Sequence, residues 1–183
     1  MKETYKTVPE SETVVTELMV PSYANFGGKV HGGTILSLMD KVAYVCATRH
    51  SQAYCVTVAV EGVDFLYPVK VGELLTIKAS VNYTGNTTMI IGMRVESQNP
   101  KSGVTRHTNS SYFTMLAKGE DGSNLPVPGL IVRNEEELRR FCEGRYLKKV
   151  SSERRKTMGS DFEGHSLEQL KAMCLDEKCR IDC

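Results

Sequence analysis

The sequence predicts an α+β fold in which one long apolar helix is wrapped by a curved antiparallel sheet. Three observations point there. Apolar residues from His31 to about His50 recur at helical spacing, and those from Leu75 to Val95 alternate one by one. The order is a strand, then the helix, then several strands in hairpin succession.

Taken in order, Glu12 to Val20 reads as a first strand that ends at Pro21-Ser22. A turn-rich loop to Val30 follows. On a helical wheel, Gly32, Ile35, Leu36, Met39, Val42, Ala43 and Cys46 form one stripe, with Ser37, Lys41, Tyr44 and Thr48 opposite. Asp40 falls on the flank of the stripe, which predicts a place near the core edge. Tyr54 to Val60 is β-branched and apolar, and Val63 to Tyr67 is expected to continue it until Pro68. Leu75, Ile77, Ala79, Val81 and Tyr83 then alternate with polar residues, as in a strand with one covered face. Thr84-Gly85-Asn86 marks a turn, Met89 to Val95 alternates again, and a second turn lies at Asn99 to Gly103. Val104 to Ala117 is the final strand. Gly119 to Leu130 is a connector, Asn134 to about Lys156 is a charged helix, and Gly159 to Gly164 breaks it. Ser166 to Lys178 predicts a short second helix. At about 150 residues per domain, the 183 residues divide into one domain, 1–130, and a charged helical extension with a tail, 131–183.

The net charge of +1 argues against a nucleic-acid partner. No apolar run approaches the ~20 residues needed to span a bilayer. The charged start has neither the apolar segment of a signal peptide nor the character of a transit peptide, so the expected location is cytoplasmic. Of the six cysteines, Cys46 and Cys55 lie in apolar segments and read as reduced structural thiols. Cys174, Cys179 and Cys183 have no histidine at zinc-like spacing, so no metal site is expected. No GxSxG motif is present, which argues against a serine hydrolase.

The chemistry concentrates in Ala24 to Asp40, ANFGGKVHGGTILSLMD. Adjacent glycines at a helix start let a ligand approach unpaired backbone N–H groups closely. Those groups and the helix dipole favour developing negative charge. With a carboxylate about two and a half turns further on, the segment suggests chemistry on a carbonyl group. Plainer readings stand beside each residue: Asp40 as a helix-flank residue, Asn25 as a turn former, Gly32-Gly33 as a close-packing pair, and His31 as structural.

Together these residues resemble the hotdog-fold acyl-CoA thioesterases of the cytosolic acyl-CoA hydrolase type. The resemblance covers roughly Val14 to Leu130. It rests on three blocks in order: ANFGGKVHGGTILSLMD, VTVAVEGVDFLYPVKVGELL from Val56 to Leu75, and NYTGNTTMIIGMRVESQNPKSG from Asn82 to Gly103. It implies a hotdog fold and hydrolysis of acyl-CoA thioesters to free fatty acid and CoA. Asp40 would be general base or nucleophile, Asn25 matches the family's catalytic Asn, and Gly32 or Gly33 N–H would complete an oxyanion hole. His31 would be structural or line the substrate. Val58 would lie near pantetheine and Gly85-Asn86-Thr87-Thr88 near the CoA arm, although some relatives place an Arg where this chain has Asn86. Arg94, Lys101 and Arg106 are cations within reach of phosphate, with solubility as the plainer role. Members pair edge to edge with sites at the dimer interface, and one copy of the signature implies a homodimer built into a trimer of dimers, with Asn25 and Asp40 of one site from different subunits. Coenzyme A belongs to substrate and product, and no further cofactor is expected. The alternatives are a non-catalytic acyl-CoA binding or regulatory module and a dehydratase or hydratase; the short His31–Asp40 spacing and the missing His-Phe-Pro-type loop speak against the latter.

Overall fold

The computed structural model describes residues 4–160, 164–174, 178 and 181. The chain divides into two compact units, Met1–Tyr146 and Leu147–Cys183.

In the first unit, β2 (Thr13–Leu18) precedes α1 (Gly32–Ser51), and then come β3 (Tyr54–Glu61), β4 (Leu74–Thr84), β5 (Thr88–Gln98) and β6 (Thr105–Lys118). These strands form an antiparallel sheet in the order β2-β4-β5-β6-β3, so β2 and β3 are its edges. The sheet curls around α1, which packs on all five strands. This is the hotdog arrangement. Period-2 patterning puts Leu75, Ile77, Ala79 and Val81 of β4, Met89, Ile91, Met93 and Val95 of β5, and Phe113, Met115 and Ala117 of β6 into one core. The helix contributes Ile35, Met39, Val42, Ala43, Cys46 and Ala47. Each fully buried aliphatic side chain stabilises the fold by about 1.5–3 kcal/mol relative to exposure. The free cysteines Cys46 and Cys55 belong to this core. Burial pushes the Cys46 thiol up to about 12 and raises that of Cys55, so both are poor nucleophiles.

Several expectations change. Val63 to Tyr67 is not a strand. Gly62 adopts φ 56° and ends β3, and within the following segment Leu66 donates to the Thr108 carbonyl at 2.8 Å. Short strands at the two ends of the first unit, β1 (Tyr5–Thr7) and β7 (Gly129–Ile131), pair in parallel, so part of the expected connector is a strand. Tyr83 leaves the inward alternation because a bulge interrupts the β4–β5 register between Val81 and Tyr83. The charged helix, α2, spans Glu135–Ser160 and so runs past Gly159, where a break was expected. Residues 161–163 of that expected break lie outside the described residues. Up to Tyr146, α2 packs on the outer sheet face. Phe141 meets Tyr83 at 5.1 Å between ring centroids, and the Tyr112 hydroxyl donates to Glu143 at 3.0 Å. The short helix α3 spans Leu167–Met173, and Cys179 and Cys183 lie outside the described residues.

Candidate active site

The loop before α1 carries Asn25 in a fixed orientation. Its Oδ1 accepts from the backbone N–H of Gly27 at 2.9 Å and of Lys29 at 3.1 Å. Both acceptances hold the carbonyl side of the amide against the loop, so its N–H₂ faces outward, with no partner among the described residues. Gly28, at φ 70°, supplies the left-handed turn that closes this loop. Phe26, next to Asn25, is fully exposed.

His31 is the N-cap of α1, and its Nδ1 accepts from Gly33 N–H at 2.9 Å. The His31 ring thus caps the helix and occupies the Gly33 N–H. The Gly32 N–H keeps no acceptor among the described residues and points out of the helix end with the dipole behind it. Of the two glycines, Gly32 is therefore the donor on offer.

Asp40 is exposed in the single chain, further out than the helical wheel placed it. It faces β3, where the Thr57 hydroxyl donates to its Oδ1 at 2.5 Å, a short charge-assisted bond. The Thr57 hydroxyl also lies 3.4 Å from Met115 Sδ, the longer and weaker of its two possible acceptors. The β3–β6 register shifts between Thr57 and Ala59, a bulge at Val58 that aims Thr57 at the helix. Sequence reasoning missed Thr57. Two cavities open on either side of Asp40. One, of about 460 Å³, is lined by Leu36, Ser37, Val60 and Phe113. The other, of about 500 Å³, is lined by Tyr44, Tyr54, Val56, Thr57 and Met115. Both are bordered by the unpaired edge strand β3, on which Tyr54, Val58 and Val60 are exposed.

Asp40 and Thr57 are thus brought together, but Asn25 is not added to them. Eight residues of helix separate Gly32 from Asp40, a rise of about 12 Å. The Gly85–Thr88 hairpin lies two strands across the sheet from Thr57, at the end where β3 starts after α1. There Gly85 N–H donates to the Thr88 carbonyl at 2.8 Å, and Asn86 and Thr87 carbonyls accept from Val127 and Ala117.

Against known proteins, residues 27–104 match the family model described as Thioesterase superfamily. Over 138 residues the chain is 46% identical to Protein VdlD of Helicobacter pylori, spanning 75% of this chain and 79% of that one. It is 34% identical over 145 residues to the cytosolic acyl coenzyme A thioester hydrolase of Homo sapiens, spanning 77% of this chain and 38% of that longer protein. A crystal structure of an apo hexameric acyl-CoA thioesterase superposes with a TM-score of 0.80 at 32% identity, covering 82% of this chain and 97% of that one.

Proposed function

This chain belongs to the thioesterase superfamily and is a thioesterase, and from that premise we propose that it hydrolyses acyl-CoA thioesters to free fatty acid and CoA with Asp40 as general base. The Asp40–Thr57 pair, set between two apolar-walled cavities at an open sheet edge, carries the reading. Thr57 takes up Oδ1, which leaves Oδ2 to hold a water and accept its proton. The water oxygen bonds to the acyl carbon, the carbonyl becomes an oxyanion, and on collapse the C–S bond breaks. The departing thiolate takes the proton from Asp40. The oxyanion needs preorganised donors, and the outward N–H₂ of Asn25 and the Gly32 N–H are the groups on offer.

The separation of these donors from Asp40 along one helix implies a site completed by a second copy. Pairing of β3 with β3 of that copy covers the exposed Tyr54, Val58 and Val60 and closes both cavities. It brings the partner's Asn25 to Asp40. Assembly of three such dimers follows the hexameric relative. Val58 and the Gly85–Thr88 hairpin are the proposed contacts for the CoA arm, and the proposed location is the cytosol. No helix among the described residues is long and apolar enough to cross a membrane.

The test is thiol release from acyl-CoAs of increasing chain length, acetyl to palmitoyl, by wild type and Asp40→Ala. Release by wild type and its collapse in the variant support the proposal. No release with acyl-CoA still bound points instead to a binding module. A single turnover in ¹⁸O water distinguishes a nucleophile whose anhydride opens at the Asp40 carboxyl carbon, which leaves the label on Asp40, from a base, which delivers it to the fatty acid.

A further inference from the structure

Beyond the N-terminal end of α1, the described residues line a further, smaller cavity of about 100 Å³, between the chain around Lys70 and the β5–β6 turn. Lys70 and Arg106 stand at its wall. Lys29 pairs with Lys70 in an isolated antiparallel bridge, so the two side chains leave the backbone on the same side. None of these three charged heads has a hydrogen-bond or ion-pair partner among the described residues. Three neighbouring cations with one carboxylate, Glu73, beside them make an electropositive pocket.

The polar groups of this cavity divide by type. Three of its acceptors are engaged by backbone: Glu73 Oε2 accepts from Lys70 N–H at 3.1 Å, Asn99 Oδ1 from Lys101 and Ser102 N–H, and Ser102 Oγ from Val104 N–H. Its donors are not engaged. Besides the two cations there is Ser97, 4% exposed and lining the cavity, whose hydroxyl has no partner among the described residues. Ser97 stands opposite Arg106 in the β5–β6 register, so both side chains leave the same sheet face. A pocket with two unpaired cations, a donor hydroxyl and most of its acceptors engaged suits an anion, and a guanidinium beside an ammonium suits a phosphate oxyanion in particular.

We propose that Lys70, Arg106 and Ser97 form a phosphate-binding site, with Lys29 adding to its field. The site is tied to the catalytic loop through backbone. Val30 N–H donates to the Val69 carbonyl at 2.9 Å, and Asn25 N–H to the Lys29 carbonyl at 2.6 Å. A phosphate held there orders the loop that presents the Asn25 amide. Two sources supply this chemistry: free phosphate, and the phosphates of a CoA thioester bound against a neighbouring copy of the chain, because within one chain this cavity and the Gly85–Thr88 hairpin lie at opposite ends of β5; only the second rests on the function proposed above.

Titration of the full chain with inorganic phosphate at low ionic strength, followed by calorimetry, tests the site without any activity. Binding by wild type that weakens tenfold or more in Lys70→Ala and in Arg106→Ala, but not in Arg94→Ala on the outer sheet face, supports the proposal. No binding, or equal affinity in all four proteins, overturns it. Kinetics then identify the source. A higher KM for a butyryl-CoA substrate with no change for butyryl-N-acetylcysteamine, which lacks phosphate, assigns the site to the substrate. Unchanged KM for both, with phosphate affinity lost, assigns it to free phosphate. A chain inactive on every thioester yet binding phosphate in this pattern keeps the site and overturns the function.

Discussion

At its C-terminal end α1 is sealed: Gln52 enters the left-handed region at φ 55° and returns its N–H to the Thr48 carbonyl at 2.8 Å, the Lys6 ammonium donates to the Arg49 carbonyl at 3.0 Å, and the fully buried His50 places Nε2 2.9 Å from the Pro128 carbonyl. At its N-terminal end the same helix starts on two glycines, with the His31 ring as cap and an exposed loop ahead of it. At one end the backbone polar groups are engaged and covered; at the other an N–H and an amide are left on offer. One helix thus separates stability from chemistry along its length, and substitutions at the two ends should change different observables.

The largest effect is expected at the base. Asp40→Asn should lower turnover by about 10²–10⁴-fold with the melting temperature nearly unchanged, because the exposed carboxylate contributes to the reaction rather than to the core. Near-normal turnover would remove Asp40 from its role. Asn25→Ala should cost about 10²–10³-fold, mostly in kcat, as loss of one oxyanion donor does. Mixing the Asp40→Asn and Asn25→Ala proteins under subunit exchange should restore part of the activity, since each mixed dimer then holds one intact site. No recovery with exchange demonstrated would place both residues in one subunit. Thr57→Val should cost roughly tenfold in kcat by losing one charge-assisted hydrogen bond of about 1.5–3 kcal/mol to Asp40.

The sealed end should respond in stability alone. Burial lowers the pKa of His50 from its ordinary 6.5, against the raising effect of its bond to Pro128. The unfolded chain therefore binds a proton at a pH where the folded chain does not. Stability is complete above about pH 6.5 and declines as pH falls from there toward the folded-state value. Thermal melts of wild type and His50→Leu should show this component of the pH slope in wild type only; parallel slopes would refute it. The smallest change is Gln52→Gly. Relief of the left-handed strain should raise stability by about 1 kcal/mol and leave kcat and KM untouched.

α1, β4, β5 and β6 were legible in the sequence because helical and strand periods are local properties of twenty or fewer neighbouring residues. Asn25 and Asp40 stand out in the sequence for a different reason: the loop-and-helix block that carries them resembles a family. Thr57 was not legible, because nothing local distinguishes it within VTVAV. Its meaning comes from the bulge at Val58 and from a helix that crosses β3 opposite it. The β1–β7 pair escaped notice because three-residue strands carry no measurable period, and their pairing joins the two ends of the first unit. The inward place expected for Tyr83 failed for the same kind of reason, since the bulge in β4 and the aromatic contact with Phe141 are set by register and packing.

By itself, then, the amino-acid order determined the helix, the alternating strands and the glycine opening ahead of α1, since each depends on which residue types stand a few positions apart. The tertiary structure decided that Gly33 is capped while Gly32 is open, that Thr57 holds Asp40, that β3 is left as an edge, and that Lys70, Arg106 and Ser97 share a cavity. Those facts depend on contacts between residues far apart in the chain. Such contacts follow from strand register and packing rather than from the pattern of any one segment.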